Sequence, residues 1–321
     1  MMEKLVLFIS WSGERTVTNS IGNITGARNI YIGEKKDTMV KSILSYPNKI
    51  YKTYKSFYGY KPFAVIVTNT FVLLPLTAYI FGKIFNIRII FQTHTSGIVN
   101  SEVAYPSAIK KLLSKKVYLN MVSNSNHQRT VQSWGGKTII VPDPPIEPDD
   151  IEIEPFSLKG KLKICYIFTY SNDEPYEPVI NAMKDFTDIT FYITGKSKGG
   201  KISQEENIIH TGYLSYPNYY YLLQSVDAIM VLTTRENTFL GGANEALSFK
   251  KPLVTSQTAF LKSYYPKGAI FIKHEEVSIR QGLHQLISNL NMFEREMSEL
   301  NNDKKNGFLN LKRKLDLLIY E

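Results

Sequence analysis

The stretch VLTTRENTFLGGANEALSFKKPLVTS, residues 231–256, gathers side chains suited to hold an anion beside a polyol. An apolar run, DAIMVLT, leads into the polar residues Thr234, Arg235, Glu236, Asn237 and Thr238. Leu240-Gly241-Gly242 follows, and then a helical pattern that carries Glu245 on its first turns. Paired glycines let a phosphate approach the backbone, and the free amides and dipole of a helix opening favour negative charge. A carboxylate one turn inside can accept hydrogen bonds from both hydroxyls of a ribose. The set suits a sugar nucleotide. The same residues also fit a plainer role, in which the glycines only let the helix pack closely on a sheet and Glu245 is a surface acid.

The elements that must position these residues read as two alternating α/β series. Up to about residue 145, short β-type runs (KLVLFIS, NIYIG, FAVIVTN, IRIIFQT, VYLNMVS, KTIIVP) are separated by helical or mixed stretches, which suggests a parallel sheet with helices on both faces. VPDPPIEPDDIEIEP is dense in proline and acid and marks a linker. A second series then begins with KLKICYIF, DITFYITG, ENIIHTGYL, DAIMVLT, PLVTS and GAIFIK as strands, interleaved with helical PVINAMKDF, NYYYLLQSV, GANEALSF and a helix from Val277. Continuous hydrophobicity in these runs is what burial on both faces requires. The expected organisation is two Rossmann-like domains facing across a cleft. The first spans 1–145, a linker 146–158, the second 159–291, and a charged helical tail 292–321 crosses back onto the first.

The order polar loop, Gly-rich helix start, Glu-Ala, KPLVTS resembles the donor-site signature of the family-4 retaining glycosyltransferases with the GT-B fold, in which two glutamates flank seven residues. More loosely, ITGKSKGG, with Gly195 and Lys196, resembles the loop after that family's middle strand, and IIHTGYLS, with Tyr213 and Leu214, its base-binding turn. The resemblance implies transfer of a sugar from a nucleotide-sugar donor, a UDP-sugar or a GDP-sugar, with retention and no protein nucleophile. The acceptor would be a saccharide or a lipid-linked molecule. It also implies that His94 of QTHTSG lies near the transferred sugar; taken alone, His94 suits a structural role equally.

Two departures stand out. Counting back from Glu245, the first glutamate of the signature falls on Asn237, with Glu236 one place early, so either residue can take the sugar contact. The joint after KLKICYIF reads TYSNDEPYEP, without the base that usually clamps the diphosphate. Phosphate charge is then left to backbone amides, to the hydroxyls of Thr169, Tyr170 or Ser171, and to Lys196, Lys198 or Arg235. In the first series, ISWSGERT offers Gly13 for close backbone approach and Arg15 for a phosphate, or Gly13 is a plain tight turn.

Composition bounds the partners. The chain has 321 residues, 43% hydrophobic and 21% charged, which fits a two-domain globular protein. A single cysteine, Cys165, rules out an internal disulfide, and no Cys/His cluster or Asp-x-Asp motif suggests a metal. Together with the absence of a signal-peptide pattern at the N-terminus, this points to the cytoplasm. The charge-free run 63–82 is interrupted by Thr68-Asn69-Thr70 and Pro75, so it reads as strand and helix rather than a membrane span. A formal net charge of +9 favours anionic partners. Residues 41–61 interleave five lysines with aromatic residues and suit peripheral contact with an anionic membrane at its inner face, or are simply a solvated helix face. Nucleic acid is not expected. A non-catalytic or nucleic-acid-binding α/β protein and a sugar-nucleotide epimerase of related fold remain as alternatives.

Overall fold

The computed structural model describes residues 4–12, 21–22, 24–33, 44–93, 95–99, 106–146, 152–196, 203 and 205–320. The chain divides into two compact units, Met1–Pro144 with Phe308–Glu321, and Pro145–Gly307.

The first unit holds six strands among the described residues: β1 (Val6–Ser10), β2 (Arg28–Tyr31), β3 (Ala64–Thr68), β4 (Arg88–Thr93), β5 (Leu119–Val122) and β6 (Thr138–Ile140). All pair in parallel, in the order β2-β1-β3-β4-β5-β6. Its helices among the described residues include α1 (Tyr46–Tyr60), α2 (Leu73–Phe85), α3 (Thr95–Val99), α4 (Ser107–Lys116) and α5 (Ser125–Ser133). Alternate residues of each strand feed opposite faces, as the period of two demands. Leu7, Ile9, Val65, Val67 and Phe91 pack on one side with α1, α2 and α4, through Phe57, Ala78 and Leu113. Val6, Phe8, Ile66, Ile90 and Met121 pack on the other. The charge-free run 63–82 contains β3 followed by α2, with Pro75 in the first turn where its missing amide costs nothing. No helix among the described residues is long and apolar enough to cross a membrane.

The second unit contains β7 (Leu162–Tyr166), β8 (Ile189–Thr194), β9 (Ile208–Gly212), β10 (Ala228–Val231), β11 (Leu253–Ser256) and β12 (Ala269–Ile272). Between them run α6 (Glu177–Met183), α7 (Tyr216–Ser225), α8 (Gly241–Ser248), α9 (Ala259–Tyr264) and α10 (Glu276–Ser288). The sheet is parallel, in the order β12-β11-β10-β7-β8-β9. Numbered from β7, this is 6-5-4-1-2-3, the Rossmann order, whose reversal point lies between β7 and β10. The register there sets Cys165 against Ile229 and Tyr166 against Met230. α6 and α10 cover one face and α7 and α8 the other.

One 31-residue helix, α11 (Leu290–Tyr320), belongs to both units. Phe293, Met297 and Leu300 are buried in the second unit; Leu315 and Ile319 are buried in the first against Phe8 and Ile66. Its last carbonyls would otherwise lack partners. The Tyr118 hydroxyl donates to Leu318 O (3.0 Å), Arg88 Nη1 to Ile319 O (3.5 Å), and the Lys4 amine to Tyr320 O. The tail therefore crosses back onto the first domain, as its sequence pattern suggests.

Candidate functional site

Ligands of open parallel sheets bind beyond the carboxyl ends of the strands at the reversal point, because the two flanking loops diverge there and leave a crevice. In the second unit these loops are 167–176, after β7, and 232–240, after β10. They carry the polar residues singled out in the sequence.

The loops are joined by Asp173. Its carboxylate accepts from Thr233 Oγ1 (2.8 Å) and pairs with Arg235 Nη2 (3.0 Å), while its carbonyl accepts from the Thr234 amide (2.8 Å). Thr233 is anchored from the other side. Its amide donates to Ser256 Oγ, and Ser256 Oγ lies 2.8 Å from His274 Nε2. Burial pushes the His274 imidazole below its usual range, which favours the neutral ring at this hydrogen bond. Four elements thereby fix where the β10 loop leaves the sheet.

The amides of Thr169 and Ser171 and the Thr169 hydroxyl are already taken. The Glu174 carboxylate accepts from the Thr169 amide (2.8 Å), the Thr169 hydroxyl (2.9 Å) and the Ser171 amide (3.0 Å). Three donors converge on one anion, which is the arrangement that phosphates use. Here the anion is part of the chain. Tyr170 lies in the left-handed region, at φ 59°, as the turn requires.

The helix opening differs. Leu240, the residue before α8, offers no side-chain acceptor, and the amides of Gly241 and Gly242 have no partner among the described residues. The two glycines are not equivalent. A Cβ on Gly242 would lie 2.9 Å from Ile167 Cδ1 and 3.2 Å from Val231 Cγ2, so this glycine lets the helix pack on the sheet. A Cβ on Gly241 would meet nothing within 4 Å. Close packing explains Gly242 and leaves Gly241 facing open space.

Glu245 is partly exposed on α8, and Tyr219 Oη of α7 donates to its Oε2 at 2.6 Å. Burial raises the Glu245 carboxyl, and the tyrosine bond opposes that rise. Burial also raises Tyr219 well above its usual value, with the adjacent Glu245 charge adding to it, so the phenol stays a donor. Glu245 is thus a held carboxylate, not a loose surface acid.

The remaining candidates fall in varied places. Asn237 adopts φ 57°, a conformation asparagine tolerates better than glutamate does, and Glu236 beside it is exposed. Thr238 Oγ1 donates to Glu236 O (3.3 Å). Gly195 closes the turn after β8 at φ 86°, where a Cβ would sit 2.1 Å from Phe168 O. Lys196 is exposed. Tyr213 is 79% exposed, and Leu214 packs into the core below it, so the turn presents a bare ring on a fixed base. Gly13, Arg15, His94 and Lys198 lie outside the described residues. Sequence reasoning missed Asp173, Glu174 and Tyr219. The first two had a signal, since Asn172-Asp173-Glu174-Pro175 is turn chemistry rich in acceptors.

No protein-family model matches the chain, and no curated protein matches its sequence. Solved structures do. HepE from Anabaena, in complex with UDP-glucose, aligns with 98% of this chain and 99% of its own at a TM-score of 0.71 and 12% identity. A glycosyltransferase from Rickettsia africae aligns with 99% and 98% at a TM-score of 0.72 and 13% identity. A Listeria monocytogenes protein ascribed UDP-N-acetylglucosamine 2-epimerase activity aligns with 92% and 91% at a TM-score of 0.63 and 10% identity. At these identities the likeness establishes the fold. The chain has the two Rossmann-like domains of GT-B proteins.

Proposed function

We propose that this chain is a nucleotide-sugar-dependent glycosyltransferase of the family-4 type, which moves a hexosyl group from a UDP-sugar to a saccharide or lipid-linked acceptor in surface polysaccharide or glycoconjugate synthesis. The observation that carries this reading is the pairing of the α8 opening with Glu245 at the reversal point. Gly241 and Gly242 leave two amides for a diphosphate, and the Tyr219-held carboxylate lies one turn inside, where ribose hydroxyls need acceptors. Tyr213 supplies a face on which the base can stack.

As the glycosidic bond to the leaving diphosphate breaks, negative charge grows on the bridging oxygen. The amides and dipole at Gly241 stabilise that charge without rearranging. Arg235 adds a cation if it turns from Asp173 to the phosphate. Asn237 or Glu236 contacts the sugar. The acceptor hydroxyl attacks with retention, and neither a protein nucleophile nor a metal is part of the proposed route. The donor domain is 159–291 and the acceptor domain 1–145, joined by the linker 146–158 and the tail 292–321. Residues 41–61 bring the chain to an anionic membrane at its inner face when the acceptor is lipid-linked.

The test is isothermal calorimetry of UDP, GDP, ADP and their sugar conjugates without metal, on the wild type and Glu245→Ala. Saturable UDP binding that Glu245→Ala weakens at least tenfold supports the reading; binding of no nucleotide refutes it. The Listeria likeness favours epimerisation as a second reading. Analysis of the products separates the two: UDP release with acceptor extension is transfer, and interconversion of two UDP-sugars is epimerisation.

A further inference from the structure

Charge is divided unequally between the two units. The first has 21 basic and 8 acidic side chains, and the second 17 and 21, so the units carry +13 and −4. Within the first unit, no acid occurs between Asp37 and Glu102, while seven lysines and arginines do.

This acid-free stretch supplies α1 and α2 of the helical layer on one side of the sheet, and α4, SAIKKLLSKK, adds a third helix without an acid. α1, α2 and α4 all pack there, through Phe57, Leu74, Ala78 and Leu113. The layer leaves large apolar side chains in solvent: Tyr51, Tyr54 and Tyr58 on α1, Ile80 and Ile84 on α2, and Leu112 on α4. Tyr58 is 60% exposed, Ile84 65% and Leu112 54%. The tyrosines recur at i, i+3 and i+7 and the isoleucines at i and i+4, so each set forms one stripe. Tyr54 lies 5.9 Å from both Phe81 and Phe85, which connects the stripes. Exposed Lys52, Lys55, Lys83, Lys111 and Lys115 lie on the same three helices. At one end the surface dips into a pocket of about 610 Å³ walled by Phe57, Phe63 and Phe85, with exposed Lys61 among its lining residues.

We propose that the outer face of α1, α2 and α4 docks on an anionic phospholipid bilayer, with Ile80, Ile84 and Leu112 entering the acyl boundary and the lysines meeting lipid phosphates. The inference deepens the acceptor side of the proposed function. It enlarges the contact from residues 41–61 to a three-helix surface whose aliphatic ridge lies outside that segment. Charge complementarity selects the occupant. A unit of +13 repels a second copy of itself. Isoleucine and leucine neither stack on bases nor bond phosphates, so a nucleic acid leaves the ridge unused, whereas a bilayer buries it.

The test is co-sedimentation of the full chain with vesicles of phosphatidylglycerol and phosphatidylcholine, against vesicles of phosphatidylcholine alone. The expected result is binding to the anionic vesicles only, weakened by salt. Each lysine near such a surface contributes roughly five-fold to partitioning, so Lys52→Gln/Lys55→Gln lowers it about 25-fold. Ile80→Glu/Ile84→Glu lowers it tenfold or more. Both variants change exposed residues, so unchanged circular dichroism and an unchanged UDP response confirm that they fold. Absence of binding to anionic vesicles, or wild-type binding by both variants, overturns the proposal. Binding of single-stranded RNA that the isoleucine variant retains overturns it in favour of a nucleic acid. A dimer that this variant dissolves overturns it in favour of self-association. Because UDP binding is read in solution, failure of the donor reading and failure of this one are distinguishable.

Discussion

Replacing each of two adjacent glycines by alanine should separate folding from donor binding. At Gly242 the added methyl meets Ile167 Cδ1 at 2.9 Å, Ile167 Cγ2 at 3.2 Å and Val231 Cγ2 at 3.2 Å, all in a packed core. Such overpacking costs about 1–3 kcal/mol, and the better helix propensity of alanine returns up to about 1 kcal/mol. Gly242→Ala should therefore lose roughly 0–2 kcal/mol, or at most about 8 °C in melting temperature for a unit of this size. At Gly241 the methyl meets nothing, so Gly241→Ala should melt at or slightly above the wild-type temperature. If a diphosphate rests on the α8 opening, however, that methyl stands where the phosphate must come. Loss of one charge-assisted bond, worth about 1.5–3 kcal/mol, weakens UDP by roughly 10- to 150-fold. Differential scanning calorimetry and titration calorimetry on the two variants give both numbers. Wild-type UDP affinity in Gly241→Ala would refute the placement of the anion, since no packing change could hide the effect.

Three further outcomes are expected. Tyr219→Phe removes the bond that opposes the rise of the Glu245 carboxyl, so UDP affinity falls and its acid limb moves to higher pH, readable by calorimetry across pH 5–8; an unmoved limb would exclude Glu245 as a ribose acceptor. Gly195→Ala places a methyl 2.1 Å from Phe168 O at φ 86°, so it should destabilise the second unit by about 3 kcal/mol or more in urea unfolding. His210 and His274 are both held below their usual range by burial, so their contribution to stability is present above about pH 6.5 and is lost as pH falls through their lower folded values. His274→Gln, which keeps a hydrogen-bonding group for Ser256 but cannot titrate, should flatten that part of the stability profile measured by thermal melting.

The fold was legible because burial on both faces leaves a local mark. AVIV, IIF and AIMV are unbroken apolar runs, and each lies in a strand flanked by parallel neighbours. The glycines at 241 and 242 were legible as a pair, yet only the structure separates the one that packs from the one that faces outward. The polar pairing was not legible. Asp173 meets Thr233 across 60 positions, and Tyr219 meets Glu245 across 26, because strand order brings β7 beside β10 and α7 beside α8. No local spacing encodes that order. The loop after β7 has no base in its sequence, but that its own acid fills the donors there could not be seen until Glu174 was placed.

The shared helix α11 has a consequence for how the chain is made. Synthesis runs from the N-terminus, and the strands of the first unit emerge long before residues 308–320. Until those residues arrive, the face formed by Val6, Phe8, Ile66 and Met121 lacks the cover of Leu315 and Ile319. The second unit, enclosed within 145–307, has no such wait. On the ribosome the domain written first is thus completed last, and its exposed sheet face is the segment most in need of a chaperone.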